Sequence, residues 1–340
     1  MSDPADAVMD LIFGRWRSQT LHAGVELGIF EVLAEGPQSA EEVAKARDLD
    51  PDNTYRLLRA LGSLDLLKER PEGTFALTDK GAVLTEDHPH SMRGIALLEE
   101  GPEHYALWTH LTDLVRSGDE GAFEKEHGHP QFEYLAQEVD PGYARVFDEA
   151  MTSLSRMETQ AVLAALDDEA FSDVNHLCDV AGGRGYLLSH LLETRPSLTG
   201  EVLELPQVAE EAGAVPEEMG VASRIEFTAG DMFEAVPEAD GYLMKHILHD
   251  WSDRECVQIL ENIRAAAPGG APVFVAEHVV PGPEASHFAK LFDLHMMVAT
   301  GGRERTVGEY EELFERAGMR LAGHHTAEGP PMSVVEGRVA

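Results

Sequence analysis

Four stretches of the 340-residue chain hold side chains whose types and spacing could do chemistry. The first is Asp179-Val180-Ala181-Gly182-Gly183-Arg184-Gly185. Clustered glycines let a backbone come close to a ligand and aim helix N–H groups at it, but such turns serve NAD, FAD, methyl donors and plain structural corners alike. The second is Glu204, about twenty residues beyond the glycines, where a carboxylate can hold both ribose hydroxyls of a nucleoside. NAD fits that reading equally well. The third, Gly230-Asp231-Met232-Phe233, offers a carboxylate to accept from an adenine amino group and soft side chains to pack on its ring. Hydride transfer has no standard use for this triplet at this place. The fourth is Leu243-Met244-Lys245-His246-Ile247-Leu248-His249-Asp250-Trp251-Ser252-Asp253, joined later in the chain by Glu277. A lone histidine is more often structural, whereas His249 with carboxylates near it is a candidate general base.

These residues need a scaffold, and the rhythm of the chain after Phe171 supplies one. Short apolar runs alternate with helical stretches, the pattern of a parallel sheet wrapped by helices. Strands are predicted at 176–180, 200–204, 225–228, 241–245 and 272–280, a helix at 308–317, and an antiparallel closing pair at 320–325 and 332–335. The candidate residues then fall at or just past strand carboxyl ends, where open α/β sheets bind ligands.

Residues 101–170 read as helical, and Phe147 and Met151, with Met296 later in the chain, are the expected lining for a planar apolar ligand. In the first hundred residues, Ser39-Ala40-Glu41-Glu42 forms a capping box, Asp52 or Asn53 is the expected cap of a helix over 54–64, and extended segments at 66–69 and 74–77 flank Pro71-Glu72-Gly73. That is a winged-helix-like pattern, usable for packing and dimerisation or for DNA. The fold expected is α/β: a mostly helical, winged-helix-like dimerisation domain (1–100), a helical linker (101–170) and a Rossmann-like seven-stranded domain (171–340).

Composition narrows the partners. The chain carries 62 Asp plus Glu against 26 Lys plus Arg, only six of them Lys, for a net charge of −36. Self-repulsion on that scale is relieved at molar salt, where the Debye length falls to about 3 Å, so a salt-loving host is expected. Nucleic acid is disfavoured, because binding phosphates requires a basic face. The start of the chain lacks a basic leader and no apolar stretch is long enough to span a bilayer, so a soluble, cytoplasmic protein without a membrane partner is expected. Cys178 and Cys256 are far apart and read as small buried hydrophobes rather than a disulfide or zinc pair. The pairs His88/His90, His127/His129 and His324/His325 show no ligand-like spacing, so no metal is expected.

Taken together, residues 179–185, Glu204-Leu205-Pro206, residues 230–233 and 245–253, Ala276-Glu277 and Gly301-Gly302-Arg303-Glu304-Arg305 resemble the plant-type small-molecule O-methyltransferases and their bacterial polyketide-tailoring relatives. The resemblance covers nearly the whole chain. It implies an S-adenosylmethionine donor held by the turn containing Asp179, Ala181 and Gly183, with Glu204 on the ribose, Asp231 and Met232 on the adenine, and Lys245 also on the donor. It further implies His249 as general base flanked by Glu277 and Glu304, a small, aromatic hydroxyl acceptor, and a homodimer. Two positions depart from the family pattern: Ala181 replaces the usual first glycine and Glu204 the usual Asp. A methyl at Ala181 is expected to be tolerated in a φ < 0 conformation. Leu154 stands where some plant relatives place a substrate-touching His, so phenylpropanoid specificity does not transfer. Two alternatives share the same residues: a relative that uses the bound donor as a structural cation for hydroxylation or decarboxylation, and a ligand-responsive winged-helix regulator without catalysis.

Overall fold

The computed structural model describes residues 3–119, 121–136, 139–211, 213–327 and 332–340. The chain divides into two units, Met1–Thr109 with Phe132–Leu154, and His110–Gln131 with Ser155–Ala340. The 25-residue helix Pro141–Ala165 contributes its first part to one and its second part to the other.

The first unit is mostly helical. Its core gathers Val25, Ile29, Phe30, Val43, Leu58, Leu61 and Phe75, all at most 1% exposed. Ser39 and Glu42 form the expected capping box on the helix Ala40–Arg47. The next helix, Pro51–Ser63, starts earlier than predicted. Asp50, not Asp52 or Asn53, is its cap: the Asp50 carboxylate accepts from Asn53 N at 2.8 Å, and Pro51 opens the first turn, where no N–H is needed. Three short strands, β1 (Gln38–Ser39), β2 (Leu67–Glu69) and β3 (Thr74–Leu77), pair antiparallel in the order β1-β3-β2.

The second unit is built on β4 (His176–Val180), β5 (Thr199–Glu204), β6 (Ile225–Ala229), β7 (Gly241–Lys245), β8 (Pro272–Glu277), β9 (Met319–Thr326) and β10 (Ser333–Val339). Their order is β6-β5-β4-β7-β8-β10-β9. The first five are parallel, and β10 runs antiparallel between β8 and β9. β8 is buried at every residue, as expected of a strand covered on both faces. It ends at Glu277 rather than at 280: beyond it the backbone turns to another partner, Val280 N donating to Arg305 O at 2.9 Å. β4 connects onward to β5 on one side and its neighbour β7 to β8 on the other, so the crevice between the carboxyl ends of β4 and β7 is the topological switch point where ligands bind in such sheets.

The turn after β4 corrects one expectation. Ala181 has φ +55°, in the left-handed region, and not the φ < 0 its methyl group would prefer; Gly183 and Gly185 are also left-handed, at +61° and +72°. The backbone shape that glycine would adopt freely is imposed on an alanine, at a cost of about 1 kcal/mol. Ala181→Gly is therefore expected to shift the urea midpoint upward, corresponding to about 0.5–1 kcal/mol. A lower midpoint would mean that the packed methyl group outweighs the backbone strain.

Candidate active site

The carboxyl ends of β4, β5 and β6 carry three groups toward one crevice. Glu204, the last residue of β5, is fixed by two backbone donors: Gly183 N to Oε1 at 2.9 Å and Leu205 N to Oε2 at 2.8 Å. Burial raises its pKa while these two bonds oppose the rise. Each oxygen keeps a lone pair, so the fixed carboxylate suits a vicinal diol. Asp231 follows β6 and is set by its own turn, Oδ1 accepting from Phe233 N at 2.8 Å. Asn262 and Gln258, on the helix Asp253–Ala266, donate to the carbonyls of Met232 and Phe233 and pin that loop. Gly183 is only partly buried, and a Cβ there would meet open space, so the turn presents bare backbone. Asp179 sits beneath the turn, 2% exposed; a Cβ on Gly182 would collide with its carboxylate at 2.5 Å. Burial pushes Asp179 up to about 7, partly offset by Lys245. This set of donors and acceptors fits a nucleoside with a free diol and a purine edge.

His249 lies beyond β7 in a one-turn 3₁₀ helix and is 4% exposed. Its Nδ1 is 2.7 Å from Glu304 Oε1 and 3.3 Å from Glu277 Oε2. In the neutral ring the proton is assigned to Nδ1 from these partners, which leaves Nε2, 3.9 Å from Asp250 Oδ1, as the nitrogen able to accept. Burial alone would lower the pKa of His249, but Glu277, Asp250 and Glu304 together raise it to about 10. The acids are shifted as well: burial pushes Glu277 up to about 7 and Asp250 up to about 6. Glu277 Oε1 also accepts from Ile247 N and Leu248 N, at 3.1 and 3.0 Å, so the same carboxylate holds the turn and faces the imidazole.

Three residues of the Gly301–Arg305 run, whose role the sequence left open, fix that turn. Arg305 is 1% exposed and donates to Leu248 O at 2.8 Å and Trp251 O at 2.9 Å while paired with Asp253 at 2.8 Å. Gly302 lets the backbone pass where a Cβ would come within 1.9 Å of His249 O, and Arg303 N donates to that oxygen at 2.7 Å. Two arginines flanking a glutamate just after a glycine pair, in a chain so poor in bases, were the available signal.

Lys245 does not stand alone at the end of β7. It lies 3.3 Å from Glu158 Oε2, which also meets His246 Nε2 at 2.8 Å. Sequence spacing could not connect Glu158 with His246, 88 residues away. Of the residues expected to line a pocket, Phe147 and Met151 are partly buried in the first unit, and Met296 is buried in the second, on the helix Ala289–Ala299. That helix also carries Phe292, whose ring centroid is 6.0 Å from that of His249.

Comparison with known proteins identifies the family. Residues 108–320 match the O-methyltransferase domain and residues 9–87 the O-methyltransferase dimerisation domain. A phenazine O-methyltransferase of Lysobacter antibioticus is 36% identical over 333 residues, covering 97% of this chain and 95% of its own. The crystal structure of LaPhzM superposes with a TM-score of 0.92 at 35% identity, covering 100% of both chains. The human N-acetylserotonin methyltransferase, in complex with S-adenosylmethionine, superposes with a TM-score of 0.88 at 28% identity over 100% of this chain and 99% of that one. The chain belongs to the O-methyltransferase family built from these two domains, and is an S-adenosylmethionine-dependent methyltransferase of small metabolites.

Proposed function

We propose that the acceptor is a hydroxyl on an aromatic metabolite and that His249 is the general base. The observation that carries this reading is the bond from His249 Nδ1 to the buried Glu304, which fixes the ring and leaves Nε2 for a proton from an acceptor. The donor supplies an activated methyl carbon, so the protein has to align the acceptor oxygen and take its proton. A phenol near pKa 10 is poorly matched to an ordinary histidine near 6.5; that transfer is uphill by about 5 kcal/mol. With His249 raised to about 10, the two are matched. An aliphatic alcohol is far less acidic and gains no such match. The aromatic phenazine named for one relative points the same way.

On this reading Glu204 holds the donor's ribose hydroxyls, Asp231 and Met232 its adenine, and Lys245 with the turn at Asp179, Ala181 and Gly183 the rest. Glu277 and Glu304 orient the imidazole and stabilise its protonated form, the task a carboxylate performs in a hydrolase triad. A homodimer is the natural use of the exposed apolar side chains Val8, Met9, Leu11, Ile12 and Trp16 near the start of the first unit, which are 50–81% exposed. No helix among the described residues is long and apolar enough to cross a membrane.

His249→Gln should lower kcat for a phenol by about 10²–10⁴-fold while leaving donor affinity by calorimetry within a few-fold. Retention of full activity would remove the base role. The sign of the pH dependence follows from the raised pKa: neutral His249 is the active form, so kcat/KM should climb from neutral pH toward about 10 rather than level off near 6.5. A profile flat above pH 7 in the wild type would contradict the carboxylate-raised base. Glu204→Ala should weaken donor binding about 10–100-fold, the worth of hydrogen bonds to a charged group, with kcat at saturating donor little changed. Equal donor affinity in that variant would take Glu204 out of the site. Because the chain is so acidic, these assays belong in both dilute and molar salt.

A further inference from the structure

Next to the His249 cluster lies a second buried group that methyl transfer does not use. Glu158, on the helix Pro141–Ala165, is 1% exposed and sits between two histidines, with His246 Nε2 at 2.8 Å from Oε2 and His278 Nε2 at 3.5 Å from Oε1. His246 follows β7 and His278 follows β8, so three separate elements deliver the three side chains. One ligand atom from each lies within 4.8 Å of the others. Glu158 Oε1 is fully buried and makes no hydrogen bond, although it is aimed at the histidines. Burying a carboxylate oxygen whose nearest partner is a nitrogen at 3.5 Å is costly, and a cation between the three groups would satisfy it better.

We propose that Glu158, His246 and His278 form a binding site for a divalent transition-metal ion of the zinc class. Two imidazoles and one carboxylate are a zinc donor set, and three protein ligands leave a fourth position for water. A second carboxylate stands near the site, Glu277 Oε2 lying 3.8 Å from His246 Nδ1, beyond hydrogen-bond reach as the side chains stand. Phe292 and Phe288 pack on His278 with ring centroids at 4.9 and 5.2 Å and give the site an apolar cover. The neighbouring set His246, His249 and Glu277 is also close enough to bind an ion. It is the poorer site, because His249 Nδ1 is already bonded to Glu304 and Glu277 Oε1 to two backbone N–H groups. Lys245 competes for Glu158, and on metal binding its ammonium would turn toward Asp179, on which it already acts. A bound ion would tie Glu158's turn of the helix to the ends of β7 and β8.

The test uses the untagged full-length protein, stripped with chelator and dialysed, then titrated with Zn²⁺ by calorimetry and with Co²⁺ by visible absorption. The expected result is one equivalent of Zn²⁺ bound, low-coordinate Co²⁺ bands, and a rise in melting temperature with added Zn²⁺. Glu158→Gln and His278→Gln should each weaken Zn²⁺ binding by at least about 100-fold, whereas His249→Gln should bind as the wild type does. No Zn²⁺ uptake by the wild type, wild-type affinity in Glu158→Gln or His278→Gln, or loss of binding in His249→Gln would each overturn the assignment. None of these readouts depends on methyl transfer, so the site and the proposed acceptor chemistry stand or fall separately.

Discussion

The second unit is organised around the need to keep several carboxylates out of water without leaving their charges uncompensated. Glu277 and Glu304 are at most 3% exposed, and both converge on one imidazole. Burying an unpaired carboxylate costs several kcal/mol even after relaxation, so these acids require His249, backbone N–H donors, or protons of their own. The structure uses all three: Glu304 bonds to the imidazole, Glu277 takes two N–H groups from the turn, and burial raises Glu277 and Asp250 until protonation near neutral pH becomes accessible. Arg305 then clamps the carbonyls of the same turn without adding a mobile charge to the crevice.

That constraint explains why the sheet is built as it is. Parallel strands deliver side chains at their carboxyl ends without a hairpin to cover them, so β7 and β8 can end in the two halves of one charge cluster. β10 seals the far side of β8 with an antiparallel ladder, pairing Ser333 with Glu277, so the strand bearing the most deeply buried acid has no free edge. The two groups of candidate side chains remain on separate strand ends, with Glu204 closing β5, Asp231 just past β6 and His249 beyond β7.

Much of this was legible in the sequence where apolar periodicity and short-range chemistry agree. β4 and β7 fall at 176–180 and 241–245 as read, because each is a short, mostly apolar run bounded by polar or turn residues, and the Ser39 capping box needs only four residues to declare itself. The Asp50 cap was missed because Asp52 and Asn53 are equally good capping types; Pro51, which belongs at the first helical position, was the deciding residue. The left-handed Ala181 could not be read at all, since alanine carries no signal for that conformation. Glu158 was hidden for another reason. An acid within an amphipathic helix is normally a solvent-facing residue, and only the fold reveals that it lies one turn before the buried Val162, pointing at two histidines from distant strands.

The two histidines flanking Ile247 and Leu248 show how one turn can hold the same side chain in opposite states. His246 and His249 have ring centroids 4.8 Å apart, inclined by 30°, and both are deeply set in the same rim. Burial lowers both pKa values, so it cannot distinguish them. The difference lies in the neighbours: His249 faces Glu277, Asp250 and Glu304, while His246 has Glu158 on one side but also the ammonium of Lys245 and the charge of His249. One imidazole is therefore driven to about 10 and the other to about 4. Two like charges in adjacent rings would repel at short range in a poorly solvated rim, so protonating one opposes protonating the other. A turn that makes one histidine strongly basic is for that reason bound to keep its neighbour neutral.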